Sequence, residues 1–262
     1  MEPISRVWFW RARPVAQPRA RLLCFPYAGA NAMVFRTWPG HLPPDVEVIA
    51  AQLPGRGTRI REAPITRMEP LVEALGQALR PSSVPFVLFG HSMGGLVAFM
   101  LCRWLRARSW PAPLHLVISG RRAPQISDSF PPASELTDAY ILSRLRRYGG
   151  TPESIFAEPE LLGMILPIFR ADFELLGSYR YVSAEPLNVP LTALGGREDD
   201  LVQPAQIEVW REHTRAPFTL RMFDGGHFFL HTAEADVLRA IGQALEGVSA
   251  LPPASQHDPS RR

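Results

Sequence analysis

The sequence predicts an α/β fold, in which helices cover both faces of a mostly parallel central sheet. Short apolar runs alternate along the chain with segments whose apolar residues recur at helical spacing. One of these runs leads through a glycine-flanked serine directly into a helical segment. The chain has 262 residues, which is enough for one such domain with a large core and room for an insertion.

The N-terminal half starts this alternation. Residues 1–20 are rich in arginine and proline and form a lead-in arm with room for one edge strand. The largely apolar runs at 21–25 and 46–50, each with one charged residue, are predicted to be strands. Loops of turn-forming residues follow the two runs, at 26–31 and 53–57. Two helices complete this half. The first, at 35–42, is short and interrupted by proline and glycine, and the second, at 68–79, is a surface helix with 3.6-residue apolar spacing.

A strand, a tight turn and a helix then meet at one serine. Residues 86–89 are a short apolar run, and apolar residues recur at helical spacing from 96–105. Between them, Gly-His-Ser-Met-Gly at 90–94 fits G-x-S-x-G, the pattern of a nucleophile on a sharp strand-to-helix turn. The flanking glycines lack Cβ atoms, so strand and helix can approach closely. We therefore expect Ser92 Oγ at the carboxyl end of the sheet, with the Met93 amide directed at a developing oxyanion.

After a further strand at 115–120 the pattern changes. Residues 127–181 contain no strand run, and two helical stretches stand out, at 138–147 and 159–179. The second stretch carries more apolar residues than one core-facing stripe requires. We interpret 127–181 as a helical lid over a hydrophobic pocket, although helices of the main core would give the same pattern. The candidate pocket residues are Met164, Ile168, Phe169 and Phe173.

The alternation resumes in the C-terminal part. Strands are predicted at 191–195 and 218–223, and each ends in a polar or glycine-rich loop, at 196–200 and 225–227. A helix follows each loop: 205–213 and 234–245. The predicted organisation starts with an arm at 1–20. An α/β core follows in two segments, 21–126 and 182–247, with a helical lid at 127–181 between them. A disordered tail at 248–262 ends the chain.

The serine needs partners to act as a nucleophile. An imidazole can remove its proton near neutral pH, and a buried carboxylate must orient that imidazole and stabilise its charged form. The order of serine, acid and histidine, each just beyond a strand, is met as follows: Ser92, then Asp199 or Asp200, then His227. Asp199 is favoured because it stands at the usual position in the loop, and Glu198 is a minor alternative.

An oxyanion also needs N–H donors. The His-Gly-Gly-Gly loop of lipases is absent, and the small-residue loop at 26–31 takes its place after the first main strand. We expect the N–H of Ala28 to be the second donor beside that of Met93. An ordinary turn at 26–31 would leave Met93 as the one donor.

Composition limits the other classes of function. The net charge of +3 is modest, and no nucleic-acid-binding motif is found. No apolar run approaches the roughly 20 residues that span a bilayer, and the N-terminus lacks a signal-peptide core. We therefore expect a soluble cytoplasmic protein without nucleic-acid or membrane partners. Cys24 and Cys102 fit buried free thiols, and without a phosphate loop or metal-ligand cluster we expect neither a cofactor nor a metal.

Six motifs occur in order between about residues 21 and 245. They are FPYAG at 25–29, QLPGRG at 52–57, GHSMG at 90–94, SGRRAP at 119–124, RADF at 170–173 and GGHFF at 225–229. As a set they resemble the type II, or discrete, thioesterases, the editing partners of polyketide synthases and nonribosomal peptide synthetases. The set is far more specific than G-x-S-x-G alone.

The resemblance implies an α/β-hydrolase fold with a helical lid. It implies hydrolysis of acyl groups from the phosphopantetheine arm of acyl or peptidyl carrier proteins, which removes aberrant or stalled units through an acyl-serine intermediate. It assigns the nucleophile to Ser92, the base to His227, the acid to Asp199 and the oxyanion donors to Ala28 and Met93. Proline is common in the family after the acid, and Asp200 at that position keeps the choice between Asp199 and Asp200 open. The pantetheine would be part of the substrate rather than a cofactor.

Two other functions stay open at this stage. A small-molecule carboxylesterase or lipase could use the same fold, and a non-catalytic protein could bind acyl groups. The absent His-Gly-Gly-Gly loop weighs against the first, and the complete order of serine, acid and histidine weighs against the second. Carrier proteins are usually acidic, so two arginine clusters could steer one to the site, although solvated faces give the same pattern. The clusters are Arg56, Arg59 and Arg61, and Arg144, Arg146 and Arg147.

Overall fold

Seven strands form one central sheet. In chain order they are β1 (Phe9–Arg11), β2 (Ala20–Phe25), β3 (Val46–Ala51), β4 (Phe86–His91), β5 (His115–Ser119), β6 (Leu191–Gly196) and β7 (Phe218–Phe223). The computed structural model describes residues 4–80, 83–128 and 130–246. Within these residues the strand order is β1-β3-β2-β4-β5-β6-β7, and all neighbours are parallel except β1 with β3. The predicted α/β class is confirmed, with an antiparallel strand at one edge.

The helices largely follow the predicted stretches. They are α1 (Met68–Leu79), α2 (Met93–Ala107), α3 (Asp138–Tyr148), α4 (Glu153–Phe156), α5 (Pro159–Ser178), α6 (Pro204–Glu208), α7 (Phe229–Thr232) and α8 (Glu234–Glu246). The predicted short helix at 35–42 is instead two 3-10 turns, Ala32–Phe35 and Trp38–Gly40, because proline lacks an N–H and its ring blocks a continuous helix. The stretch at 205–213 starts as α6 and ends in the tighter 3-10 geometry that is frequent at helix termini. None of the helices in the described residues has the length and apolarity needed to cross a membrane.

Successive residues of the central strands enter opposite parts of the core. In β2, Leu23 packs in the cluster that contains the inner faces of α1 and α2, whereas Leu22 packs in the cluster that contains α8. Leu88 and Val87 of β4 divide in the same way. A strand covered by helices on both faces has no solvent side, which is why these strands are continuous apolar runs in the sequence.

Both cysteines are buried in this core as free thiols. Cys24 lies in β2 and Cys102 in α2. Burial raises the pKa of the Cys24 thiol well above its ordinary value and that of Cys102 to about 12. Neither thiol is therefore available as a thiolate near neutral pH.

The segment between β5 and β6 has a small core of its own. It contains one 3-10 turn, Ala133–Glu135, followed by α3, α4 and α5. The buried residues of this core are Leu136, Ile141, Leu145, Leu166 and Phe173. Helix α5 also adds Leu175 and Leu176 to the main core, which explains its excess of apolar residues. The opening of this segment as a lid remains a prediction, and the predicted tail at 248–262 lies outside the described residues.

Two histidines, one half-buried and one buried, are expected to make the protein less stable in mild acid. His115 Nε2 lies 2.8 Å from Thr192 Oγ1, and His213 Nε2 lies 2.6 Å from Gln125 Oε1. Burial lowers the pKa of each histidine from 6.5 to about 4. The unfolded chain then binds these protons more readily, so the free energy of unfolding should fall as the pH drops from 6.5 towards 4.

Urea unfolding at a series of pH values tests this expectation. The variants His115→Gln and His213→Gln should lose less stability than the wild type over the same interval. Protonation of carboxylates affects all three proteins equally, so the comparison isolates the histidines. Parallel stability curves for wild type and variants would contradict the prediction.

Candidate active site

Ser92 lies on a strained turn between β4 and α2. Its backbone has φ +53° and ψ −115°, in the half of conformational space that favours glycine. A Cβ atom on Gly90 would collide with the carbonyl oxygen of Gly94, and one on Gly94 would collide with that of Phe25. The two glycines of the G-x-S-x-G pattern are thus required by the close approach of strand and helix. The Ser92 amide donates to the carbonyl oxygen of Ser119 at 2.8 Å, which anchors the turn to the end of β5.

A continuous hydrogen-bonded chain joins Ser92, His227 and Asp199. His227 Nε2 lies 3.1 Å from Ser92 Oγ, and His227 Nδ1 lies 2.8 Å from Asp199 Oδ2. A carboxylate only accepts hydrogen bonds, so Nδ1–H donates to Asp199 and Nε2 is left to accept from the serine hydroxyl. The three side chains follow β4, β6 and β7, and the carboxyl ends of these parallel strands lie at one edge of the sheet.

Of the three candidate acids, Asp199 is the one that contacts His227. It is 4% exposed, and its Oδ1 accepts two backbone N–H groups of its own loop at 2.8 and 3.1 Å. These bonds fix the carboxylate plane and leave Oδ2 for the imidazole. Glu198 and Asp200 are both exposed and have no hydrogen bond to the histidine.

Two backbone amides are available at the same site. Met93 is the first residue of α2, and Ala28 lies in the loop after β2 and lines the same cavity as Ser92. No acceptor for either N–H is found among the described residues. The start of a helix carries partial positive charge, so this pair of amides can receive a negatively charged oxygen.

His91, which precedes Ser92, is fully buried and neutral. Its Nδ1 lies 2.9 Å from Ser119 Oγ, and its ring centre lies 5.2 Å from that of His227. Burial first, and then the nearby charges of His227 and His231, hold the pKa of His91 well below its usual value of 6.5. His91 is therefore uncharged near neutral pH, and its ring packs against those of Tyr27, His227 and Phe229.

A small cavity of about 30 Å³ adjoins Ser92 and His227. The segment between β5 and β6 contributes Phe130, Tyr148 and Phe173 to its lining. The Tyr148 ring centre lies 5.9 Å from that of His227, with the two planes 30° apart. Helices α3 and α5 thus form a roof over Ser92 and His227.

Of the four predicted pocket residues, Phe173 lines this cavity. Met164 is 62% exposed. With about 3.6 residues per turn, the spacing between Met164 and Phe173 directs them to opposite sides of α5. Phe169 covers Gly29, where its ring occupies the space that a Cβ would need, and Ile168 is half-buried. Contact of any of the four residues with an acyl chain remains a prediction.

The first predicted arginine cluster does not form a surface. Arg56 and Arg59 are buried. Arg56 pairs with Asp172, and Arg59 Nη2 lies 2.5 Å from Glu62 Oε2. These two arginines therefore cannot contact a docking protein, whereas Arg61 is exposed. Arg146 and Arg147 of the second cluster are also exposed.

Two features of the site were not found from the sequence. One is Tyr148, and no local pattern distinguishes it from a surface tyrosine near a helix end. The other is the ion pair of Arg56 with Asp172. A signal for it does exist, since Asp172 is an acidic residue within an apolar helix and a buried charge requires a partner.

The chain is similar to known proteins over most of its length. A family model described as a thioesterase domain matches residues 20–245. The gramicidin S biosynthesis protein GrsT of Aneurinibacillus migulanus is 39% identical over 250 residues, which cover 94% of this chain and 98% of that protein. The structure of BorB, a type II thioesterase from the borrelidin biosynthetic cluster, is 35% identical, with a TM-score of 0.83 and coverage of 93% of this chain and 100% of that chain. The structure of YbtT, a type II thioesterase from the yersiniabactin NRPS/PKS pathway, is 29% identical, with a TM-score of 0.81 and coverage of 92% and 99%.

Proposed function

Since this chain belongs to the thioesterase family and is a thioester hydrolase, we propose that it removes acyl groups from the phosphopantetheine arm of acyl or peptidyl carrier proteins. The hydrogen-bonded set of Ser92, His227 and Asp199, beside two amides without acceptors, carries this proposal. The similar proteins serve gramicidin S, borrelidin and yersiniabactin biosynthesis. In such a pathway the enzyme would clear carriers that hold a wrong or stalled acyl unit.

In the first half of the reaction the acyl group moves to the enzyme. His227 Nε2 takes the hydroxyl proton of Ser92 while Oγ attacks the thioester carbonyl carbon. The carbonyl electrons move to oxygen, and the amides of Ala28 and Met93 stabilise that charge. The C–S bond then breaks, and the sulfur leaves with the proton from Nε2. Asp199 holds Nδ1–H and stabilises the transient imidazolium.

In the second half a water molecule releases the acid. His227 Nε2 removes one proton from the water, and the oxygen attacks the acyl-serine carbonyl. The bond to Ser92 Oγ breaks, Oγ regains its proton from Nε2, and the carboxylic acid departs. A thiol is far more acidic than an alcohol, with a pKa of about 8.5 in cysteine, so a thiolate is a better leaving group than an alkoxide.

Intact-mass spectrometry of acyl-loaded carrier proteins tests the proposal. With the enzyme present, each carrier should lose the mass of its acyl group and keep its phosphopantetheine arm. Omission of the enzyme gives the background rate, and the acyl-pantetheine fragment without the carrier measures what the protein partner adds. Carriers that keep their acyl groups at the background rate would rule out the proposed substrate class.

A small-molecule esterase on the same fold is the main alternative. Matched oxygen esters and thioesters of one acyl group separate the two functions, because they differ in the leaving atom alone. We expect the kcat/KM value for the carrier thioester to exceed that for the oxygen ester. The reverse preference would favour the esterase.

A further inference from the structure

A buried ion pair connects the inserted helices to the loop beside Ser92. Arg56 lies after β3 and is 3% exposed, and Asp172 lies in α5 and is 0% exposed. Arg56 Nη1 lies 2.6 Å from Asp172 Oδ2, and Nη2 lies 2.5 Å from Oδ1. This two-pronged geometry fixes both side chains in one plane. The reaction described above uses neither residue.

The same two side chains hold the backbone of residues 26–31, which we call the oxyanion loop. Asp172 Oδ2 accepts the N–H of Gly29 at 2.7 Å. Arg56 Nη1 also donates to the carbonyl oxygen of Ala30 at 3.3 Å. Gly29 directly follows Ala28, whose N–H is the proposed oxyanion donor, and Ala30 is the residue after Gly29.

The oxyanion loop has little internal support for its position. One backbone hydrogen bond closes it, from the Ala30 N–H to the Tyr27 carbonyl oxygen at 3.1 Å. Gly29 has φ +80°, and glycine leaves its backbone more freedom than other residues would. The Gly29 N–H belongs to the peptide unit that joins Ala28 to Gly29, and this unit directly follows the one that carries the Ala28 N–H. Asp172 therefore holds the peptide unit next to the donor, and its loss would leave the Tyr27–Ala28 unit with the bond to the Ala30 N–H alone.

Stabilisation of the fold does not by itself explain a buried ion pair at this position. Desolvation of two charges offsets much of their attraction, and apolar residues of similar volume often serve a buried site equally well. Arg56 Nε is buried and has no hydrogen-bond partner among the described residues, which adds to the cost. The ion pair is better explained by its contacts with the backbone of the oxyanion loop.

We propose that Arg56 and Asp172 are positioning residues that hold the oxyanion loop, so that α5 completes the oxyanion hole when it covers the site. This inference rests on the proposed catalytic role of Ser92 and the Ala28 amide. It gives the inserted segment a part in catalysis in addition to any contact with the acyl chain. Asp172, a charged residue of the roof, thereby links closure of the site to the position of the oxyanion loop.

Three variants test this link. Asp172→Asn keeps the shape of the side chain but sets an amide NH₂ group against Arg56 or Gly29. The double variant Arg56→Met with Asp172→Leu removes both charges and retains similar volume, so it should fold even if the single variant does not. Asp138→Asn is the matched control, because it breaks an exposed ion pair with Arg170 in the same inserted segment.

The expected signature is a loss of kcat with KM nearly unchanged. Removal of an oriented oxyanion donor costs about 10²- to 10³-fold in kcat, and we expect about 10²-fold for either Asp172 variant. KM should stay within about 3-fold, because the ground state is still bound. Asp138→Asn should match the wild type in both constants. Wild-type kcat in a folded double variant would overturn the inference.

A second assay separates this inference from the proposed substrate. A fluorophosphonate probe reacts with an activated serine, and its phosphoryl oxygen occupies the oxyanion hole without any carrier protein. The rate of Ser92 modification should fall in both Asp172 variants by about the same factor as kcat. A wild-type enzyme that reacts with the probe but hydrolyses no carrier thioester would refute the proposed function alone. Equal labelling rates in wild type and variants would refute the positioning role.

Discussion

Replacement of Ser92 by alanine is expected to lower kcat for carrier-thioester hydrolysis by about 10⁴- to 10⁶-fold. Among the residues that the structure describes, the hydroxyl is the one group within hydrogen-bond distance of His227 Nε2 that can form an acyl intermediate, at 3.1 Å. The remaining activity would come from water, assisted by the amides of Ala28 and Met93. Alanine keeps the strained backbone at this position, so the melting temperature should stay close to that of the wild type.

Two measurements check the Ser92→Ala variant. Rapid-quench intact-mass spectrometry should detect an acyl adduct on the wild-type enzyme and none on the variant. Ser143→Ala is the matched control, since that serine is exposed in α3 and its Oγ donates to the Tyr140 carbonyl oxygen. The control should hydrolyse at the wild-type rate. A folded Ser92→Ala protein that keeps full activity would require a different nucleophile or a mechanism without one.

Replacement of Asp199 by asparagine is expected to lower kcat by about 10⁴-fold. The asparagine amide can donate towards Nδ1, which favours the imidazole tautomer that carries its proton on Nε2. That tautomer cannot accept the proton of Ser92. The two backbone N–H groups that now donate to Oδ1 also hold the side chain in place, so the wrong tautomer would be fixed rather than averaged out.

The neighbouring carboxylate supplies the control for this prediction. Asp200→Asn removes the same charge from the same loop but from an exposed side chain. We expect its kcat/KM to remain within about 2-fold of the wild type, because surface substitutions seldom matter. The kcat/KM values of both variants, measured against pH with one carrier thioester, decide the question. A larger loss in Asp200→Asn than in Asp199→Asn would reverse the assignment of the acid.

The central strands were predictable because burial between two layers of helices requires apolar residues at successive positions. The runs at 21–25 and 86–89 are apolar at every or nearly every position, as a strand between two layers of helices requires. The turn at 90–94 was equally predictable, because a Cβ atom at either of its two glycines would collide with neighbouring backbone. Family motifs then linked these local features to the thioesterases, and the family model supports that link.

Other features depended on packing that local patterns do not record. Met164 and Phe173 are both apolar residues of α5, but one faces solvent and the other lines the cavity. Hydrophobicity marks both residues in the same way, and the neighbours of the helix decide which side is covered.

By itself, the sequence determined the α/β class and the serine on its glycine-flanked turn, because both follow from residue spacing over short distances. The tertiary structure alone decided which of two adjacent aspartates faces His227 and which cation accompanies Asp172. Asp199 and His227 are 28 positions apart, and Arg56 and Asp172 are 116 positions apart. Adjacent loop residues share the same local preferences, so their directions are set by contacts that form only when distant strands and helices come together.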